Sequence, residues 1–234
     1  MKRNNIILRG FFLLMVCLLV GCASYSTSLV LLNPSGPNVN KVAKGDLTLY
    51  IEEYATQEKS ELAFDTNLPE EGVLPLLIQV ANSGQEPCEV KVEDIFVRGD
   101  ALLKPLTPEE AASKAERSAV GRAIGWSLIV PIIAIPIAAI ASAKHTSKVN
   151  KKVLADFTAK AFKDGEILPN KEKSGFLYLQ LAEGQKDTAG LSLEMTARNI
   201  TTGEIVTLVT PVPPATFTQK EDKEEEPEED DMLW

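Results

Sequence analysis

The sequence predicts a mainly β protein, an antiparallel sandwich of immunoglobulin-like type interrupted by a helical hydrophobic hairpin. Apolar residues recur with period two in several short runs, the spacing that buries one face of a strand. Turn residues separate those runs at short intervals, as in a sandwich and unlike a parallel α/β sheet. The strand pattern also stops at Pro105 and resumes only at Gly165, on either side of a long segment without charge.

The first strand pattern is Leu47, Leu49 and Ile51, alternating with Thr48, Tyr50 and Glu52. The run from Val73 to Ala81 follows and ends at the turn Asn82-Ser83-Gly84, and Val90, Val92, Ile95 and Val97 form a third run before Gly99-Asp100. After Gly165, Leu177, Leu179 and Leu181 alternate with Phe176, Tyr178 and Gln180, then Leu191, Leu193, Met195 and Ala197 with Ser192, Glu194, Thr196 and Arg198. Asn199 to Gly203 reads as a hairpin connection with a left-handed residue at Gly203, leading into Glu204 to Val209. Pro211, Pro213 and Pro214 then end the sheet, because proline removes a ladder donor. The domain is expected over residues 45–214, after a tether at 22–44 rich in Ser, Asn, Pro and Gly.

The insertion is expected over 107–164. Thr107-Pro108-Glu109-Glu110 is a helix start with the residues of a capping box. At the far end Val149, Val153, Phe157 and Ala161 recur every four residues, an amphipathic stripe that Asp164-Gly165 closes. Between these helices the apolar core, 124–143, carries no charged side chain. Its seven Ile, one Leu and one Val favour a bilayer by roughly 3 to 5 kcal/mol together. Pro131 and Pro136 oppose this, each costing up to about 3 kcal/mol inside a helix. Three arrangements stay open: a hairpin broken near Pro131–Pro136 that dips into lipid or packs on a partner, a hairpin laid on its own sandwich, and a true span. Trp126, Ile129, Ile132, Ile133 and Ile137 are the expected membrane or partner contacts. Lys114, Arg117, Arg122, Lys144, Lys148, Lys151 and Lys152 flank the segment, where they can meet anionic head groups.

Residues 1–21 read as a secretory signal: Lys2, Arg3 and Arg9 in a basic start, an apolar run from Phe11 to Val20, and the small Gly21. That run is shorter than the about 20 residues a permanent span needs. Leu19-Val20-Gly21-Cys22 resembles the lipobox of bacterial lipoproteins. The resemblance covers the targeting segment alone, and implies cleavage between Gly21 and Cys22, a diacylglyceryl thioether on Cys22 and a further acyl chain on its new amino group. It implies membrane attachment through Cys22. Because Ala23, and not aspartate, follows the cysteine, it also implies an outer-membrane destination, with the periplasmic face expected.

The chain has 24 Lys and Arg against 33 Asp and Glu, a balance that argues against nucleic acid as a partner. Acid is concentrated in the expected disordered tail, 215–234, where Lys220 and Lys223 face nine carboxylates between Glu221 and Asp231. With Cys17 in the signal and Cys22 acylated, Cys88 is the remaining thiol, expected to be buried and inert.

Chemistry-bearing patterns are sparse. His145 is the sole histidine, too few for a histidine-rich metal site; a Ser-His-Asp triad would have to recruit it, yet no G-x-S-x-G or other nucleophile signature occurs, and no P-loop. Glu52-Glu53, Glu70-Glu71 and Glu109-Glu110 are sequence neighbours whose side chains diverge, unlike carboxylates paired for glycoside hydrolysis. The expectation is a non-enzymatic envelope lipoprotein without cofactor or metal, acting as a binding or scaffold module on an envelope protein partner or as a homo-oligomer. The alternative is an oligomeric component that inserts in membrane as part of a pore or secretion complex, for which Gly121 and Gly125 offer a close-packing pair.

Overall fold

The computed structural model describes residues 25–115 and 151–217. They form two antiparallel sheets with helices on one outer face. Strands β1 (Val39–Lys44), β2 (Leu47–Glu53), β3 (Val73–Asn82), β7 (Lys171–Gln180) and β5 (Lys104–Leu106) make one sheet, in the order β1-β2-β3-β7-β5. The other has the order β6-β4-β8-β9, from β4 (Cys88–Arg98), β6 (Gly165–Ile167), β8 (Ser192–Asn199) and β9 (Ile205–Pro211). The two-sheet antiparallel architecture is the one the alternating pattern predicts.

Between the sheets lies the main core. Leu47, Leu49 and Ile51 of β2, and Leu74, Leu76, Ile78 and Val80 of β3, meet Val90, Ile95 and Val97 of β4 and Leu193, Met195 and Ala197 of β8. These are the residues whose spacing alternates, so each run presents one face inward. In β4 the gap between Val92 and Ile95 is odd, which would turn Ile95 outward in a regular strand. A bulge corrects it: Val90 pairs with Ala197 and Ile95 with Met195, so β4 advances five residues while β8 advances two.

The five-stranded sheet is covered on its other face as well. Val73 and Leu77 of β3 and Phe176 and Tyr178 of β7 point away from the sandwich interior, into a second core with Phe64, Leu68, Val153 and Phe157. That is why Val73 to Val80 reads as a nearly continuous apolar run: β3 is central and has no solvent face. The described residues therefore form three layers, helices, sheet and sheet.

Three boundaries differ from the expectation. Residues 39–44, assigned to the tether, form β1, paired with β2 from Val39↔Glu52 to Lys44↔Leu47 around the two-residue turn Gly45-Asp46. Gly45 takes φ +58°, which its missing Cβ allows. The expected tail begins later than Ala215, because Phe217 is buried and its N–H donates to the Lys186 carbonyl at 2.9 Å. Residues 218–234 lie outside the described residues. Between β2 and β3, where no element was expected, are helix α1 (Gln57–Phe64), capped by Thr56, and a 3₁₀ turn at Leu68–Glu71.

The outer edges of the sheets are guarded. Asn40 and Lys44 of β1 donate side-chain hydrogen bonds to the carbonyls of Pro211 and Thr207 on β9, at 2.9 and 3.3 Å. Strands β5 and β6 at the opposite edges have three residues each, too short to template another strand. The hairpin turn after β8 has the predicted form, with Gly203 at φ +76° and the Asn199 side chain accepting from the N–H groups of Thr201 and Thr202.

Cys88 is buried at the start of β4, and burial, reinforced by nearby Asp46 and Glu86, raises its thiol pKa. The thiolate is the reactive species. A chain with Cys17 and Cys22 replaced by serine should therefore leave Ellman's reagent unreacted for hours at neutral pH, and titrate one thiol in guanidinium. Rapid reaction of the native chain would contradict this packing.

Candidate functional site

The insertion enters and leaves the fold through two helical segments, α2 (residues 108–115) and α3 (residues 151–160). Thr107 caps α2 as its sequence predicts: its hydroxyl accepts from the Glu110 N–H at 3.2 Å, and its own N–H donates to the Glu110 carboxylate at 2.8 Å. That backbone hydrogen bond, helped by Lys104, holds the Glu110 carboxyl below its ordinary pKa. The inward residues of α2 are Ala111, Ala112 and Ala115, small enough to let its backbone approach the sheet. On α3 the four-residue stripe turns inward, and Val153 and Phe157 are buried.

Phe157 sits at the centre of an aromatic cluster. Its ring lies 5.0 Å from Phe64 of α1 and 5.2 Å from Tyr178 of β7, and Phe64 in turn meets Phe176 at 4.9 Å. The Tyr178 hydroxyl donates to the Phe157 carbonyl at 3.1 Å. Burial raises the Tyr178 pKa well above that of a free phenol, with Asp156 adding to it. The stripe on α3 was legible; its aromatic receptor on β7 was not, because Phe176 and Tyr178 alternate with leucines that face the other core.

A third element joins this face. Residues 25–32 run across it as an extended strap, with Leu32 buried and Val30 packed against the second core. The Tyr25 hydroxyl donates to Asp156 Oδ2 of α3 at 2.8 Å and the Thr27 hydroxyl to Oδ1 at 3.3 Å. Lys160, one turn along α3, lies 2.6 Å from the same carboxylate with 9% of its side chain exposed, and also donates to the Ala63 carbonyl. Asp156 thus accepts from three donors that tie strap, α3 and the end of α1 together. Burial, and then the hydrogen bond to Asp156, raise the Tyr25 pKa far above its ordinary value.

Tyr54, on the same side of the sheet, is likewise raised by burial and then by Glu52 and Glu53. Three phenols whose folded pKa values exceed the unfolded value of about 10 favour folding below that pH, and the contribution is lost as pH rises above it. The helical layer should therefore loosen above about pH 10, seen as a rise in tyrosinate absorbance at 295 nm that coincides with loss of near-ultraviolet circular dichroism. In a Tyr50→Phe chain, which leaves only these three phenols, tyrosinate appearing near pH 10 without structural loss would contradict these burials.

The expected site residues Gly21, Cys22, Trp126, Ile129, Ile132, Ile133 and Ile137 lie outside the described residues, as do His145 and the apolar segment 124–143. Among the described residues no helix is long and apolar enough to cross a membrane, and no cluster of three His, Cys, Asp or Glu side chains is placed to hold a metal ion. What is described is the base of the insertion and its meeting with the strap.

No known protein family matches the chain, and no curated protein does. Two solved structures from Bacillus subtilis are similar in outline. One, described as a "putative lipoprotein (ycdA)", is 11% identical with a TM-score of 0.36, and the match covers 74% of this chain and 38% of that one. The other, the yjhA protein, is 8% identical with a TM-score of 0.38, over 73% of this chain and 94% of that one. Likenesses this loose carry no inference about function.

Proposed function

We propose that this protein is a non-enzymatic envelope lipoprotein held to the outer membrane, on its periplasmic side, by acyl chains on Cys22. Its sandwich is a binding or scaffold module, and its apolar segment 124–143 contacts lipid or a protein partner. The observation that supports the reading is the convergence on one sheet face of the strap that follows Cys22 and of α2 and α3, which bracket the apolar segment. A protein anchored at the strap holds the base of the insertion close to the same surface.

The test is flotation of envelope fractions at neutral pH, chosen because alkaline extraction would itself disturb the tyrosines of the helical layer. Compared are the unaltered chain, Cys22→Ser behind an ordinary secretory signal, and Cys22→Ser with 124–143 removed. The unaltered chain should float and carry an acyl mass on Cys22, the second should float in part, and the third should stay in the soluble fraction. An unaltered chain without acyl mass, or one that remains soluble, would overturn the proposal.

A further inference from the structure

We infer that Leu29 and Leu31 of the strap and Leu62 of α1 form a lipid-contacting surface, one that seats the sandwich on the bilayer with its helical layer downward. The inference rests on the anchor reading above and goes beyond it, because it assigns an orientation and a contact surface within the folded domain.

Leu29, Leu31 and Leu62 are exposed by 82%, 73% and 55% of their surface, among the most exposed large apolar side chains of the described residues. The Ser28 N–H donates to the Leu62 carbonyl at 3.1 Å, which ties the strap backbone, just before Leu29, to the end of α1 that carries Leu62. The inward residues of the same strap, Val30 and Leu32, already pack on the second core, so Leu29 and Leu31 cannot turn in to join it.

Chain length supplies the occupant. Tyr25 is fixed to Asp156, and Cys22 is three residues before it. Three extended residues reach about 11 Å. Acyl chains on Cys22 therefore enter the bilayer within about 11 Å of the Tyr25 backbone, and a domain on so short a leash keeps this side against the head groups. Leu29 and Leu31 follow Tyr25 by four and six residues, within about 20 Å of it, so a strap lying along the membrane brings them to the boundary between head groups and acyl chains, where leucine is favoured. Glu58 and Glu61 flank Leu62 on the exposed side of α1, so the leucine contact is apolar and should form on zwitterionic vesicles, without anionic lipid.

The experiment places a single tryptophan at Leu31→Trp, Leu62→Trp or, on the far sheet, Val209→Trp, in the full chain with Trp126→Phe and Trp234→Phe. The acylated proteins are incorporated in phosphatidylcholine vesicles whose acyl chains carry bromine. Quenching at least threefold stronger for Leu31→Trp and Leu62→Trp than for Val209→Trp is expected on phosphatidylcholine alone. Equal, weak quenching at all three positions in chains that float with the vesicles would overturn the surface and leave the anchor standing. A dimer in sedimentation without vesicles, lost in Leu29→Ser/Leu31→Ser/Leu62→Ser, would overturn it in favour of a second copy. If Cys22 carries no acyl mass, the anchor fails separately, and the surface is judged by the same quenching in chains coupled at Cys22 to a maleimide lipid.

Discussion

Phe157→Ala should lower the stability of the protein by about 4 kcal/mol, because the ring is fully buried and removing it leaves a cavity between α1, α3 and β7. Phe64 and Tyr178 both pack on that ring and on each other at 5.9 Å, and both also touch Phe176, which holds them from following it inward. A domain of ordinary stability has about 5–15 kcal/mol in total, so the loss removes a large part of it. In thermal unfolding it amounts to a fall in Tm of roughly 10 °C for a domain of this size. Leu154→Ala, three residues earlier on the exposed side of α3, should change stability by no more than about 0.5 kcal/mol. Equal effects of the two would mean that α3 does not lie against the sheet as described.

Gly175→Val should be comparably damaging for a different reason. A Cβ at this position in β7 would lie 2.5 Å from both the Cα and the N of Phe162 and 2.9 Å from the carbonyl carbon of Ala161. All three are backbone atoms, so no rotamer change relieves the clash. The chain leaving α3 is held there by the bridge from Ala161 to Phe176 and by the Phe162 N–H donating to the Phe176 carbonyl at 2.9 Å. A larger residue at 175 must push that segment off the strand, breaking the hydrogen bond and lifting Phe162 out of the core. The expected cost is about 3 kcal/mol or more. The expected signs are a loss of soluble yield and early exchange of the Phe162 amide. Normal stability of Gly175→Val would contradict the close approach.

The sandwich was legible because its signal is local. Leu47, Leu49 and Ile51, or Leu193, Met195 and Ala197, announce a strand and its inward face with no knowledge of what lies opposite. The capping residues Thr107 and Glu110 and the left-handed Gly203 are equally local. The turn Gly45-Asp46 was also readable as a hairpin connection, and β1 went unrecognised because Val39 to Lys44 buries little and follows a stretch rich in Asn, Pro and Gly. The second core was harder. Alternating leucines and aromatics on β7 look like one strand with one buried face, and only the tertiary arrangement shows that both are covered.

The strap could not have been read at all. Tyr25 and Asp156 are 131 residues apart, and neither has a pattern that marks it. Long-range polar contacts of this kind leave no periodicity, and a serine-rich segment with one apolar patch has the composition of a tether whether or not it is fastened. The structure adds to the sequence the place where that tether is fixed.

The account turns on that fastening, and a double-mutant cycle of Tyr25→Phe and Asp156→Ala measures it most directly. Each single change and the pair are compared by denaturant unfolding of the same chain at neutral pH. The hydrogen bond of 2.8 Å predicts a coupling of about 1 kcal/mol or more between the two positions, with the Phe substitution silent once Asp156 is gone. Strictly additive effects would show that Tyr25 is free of α3, and with it the strap, the position of Cys22 and the surface assigned to face the bilayer.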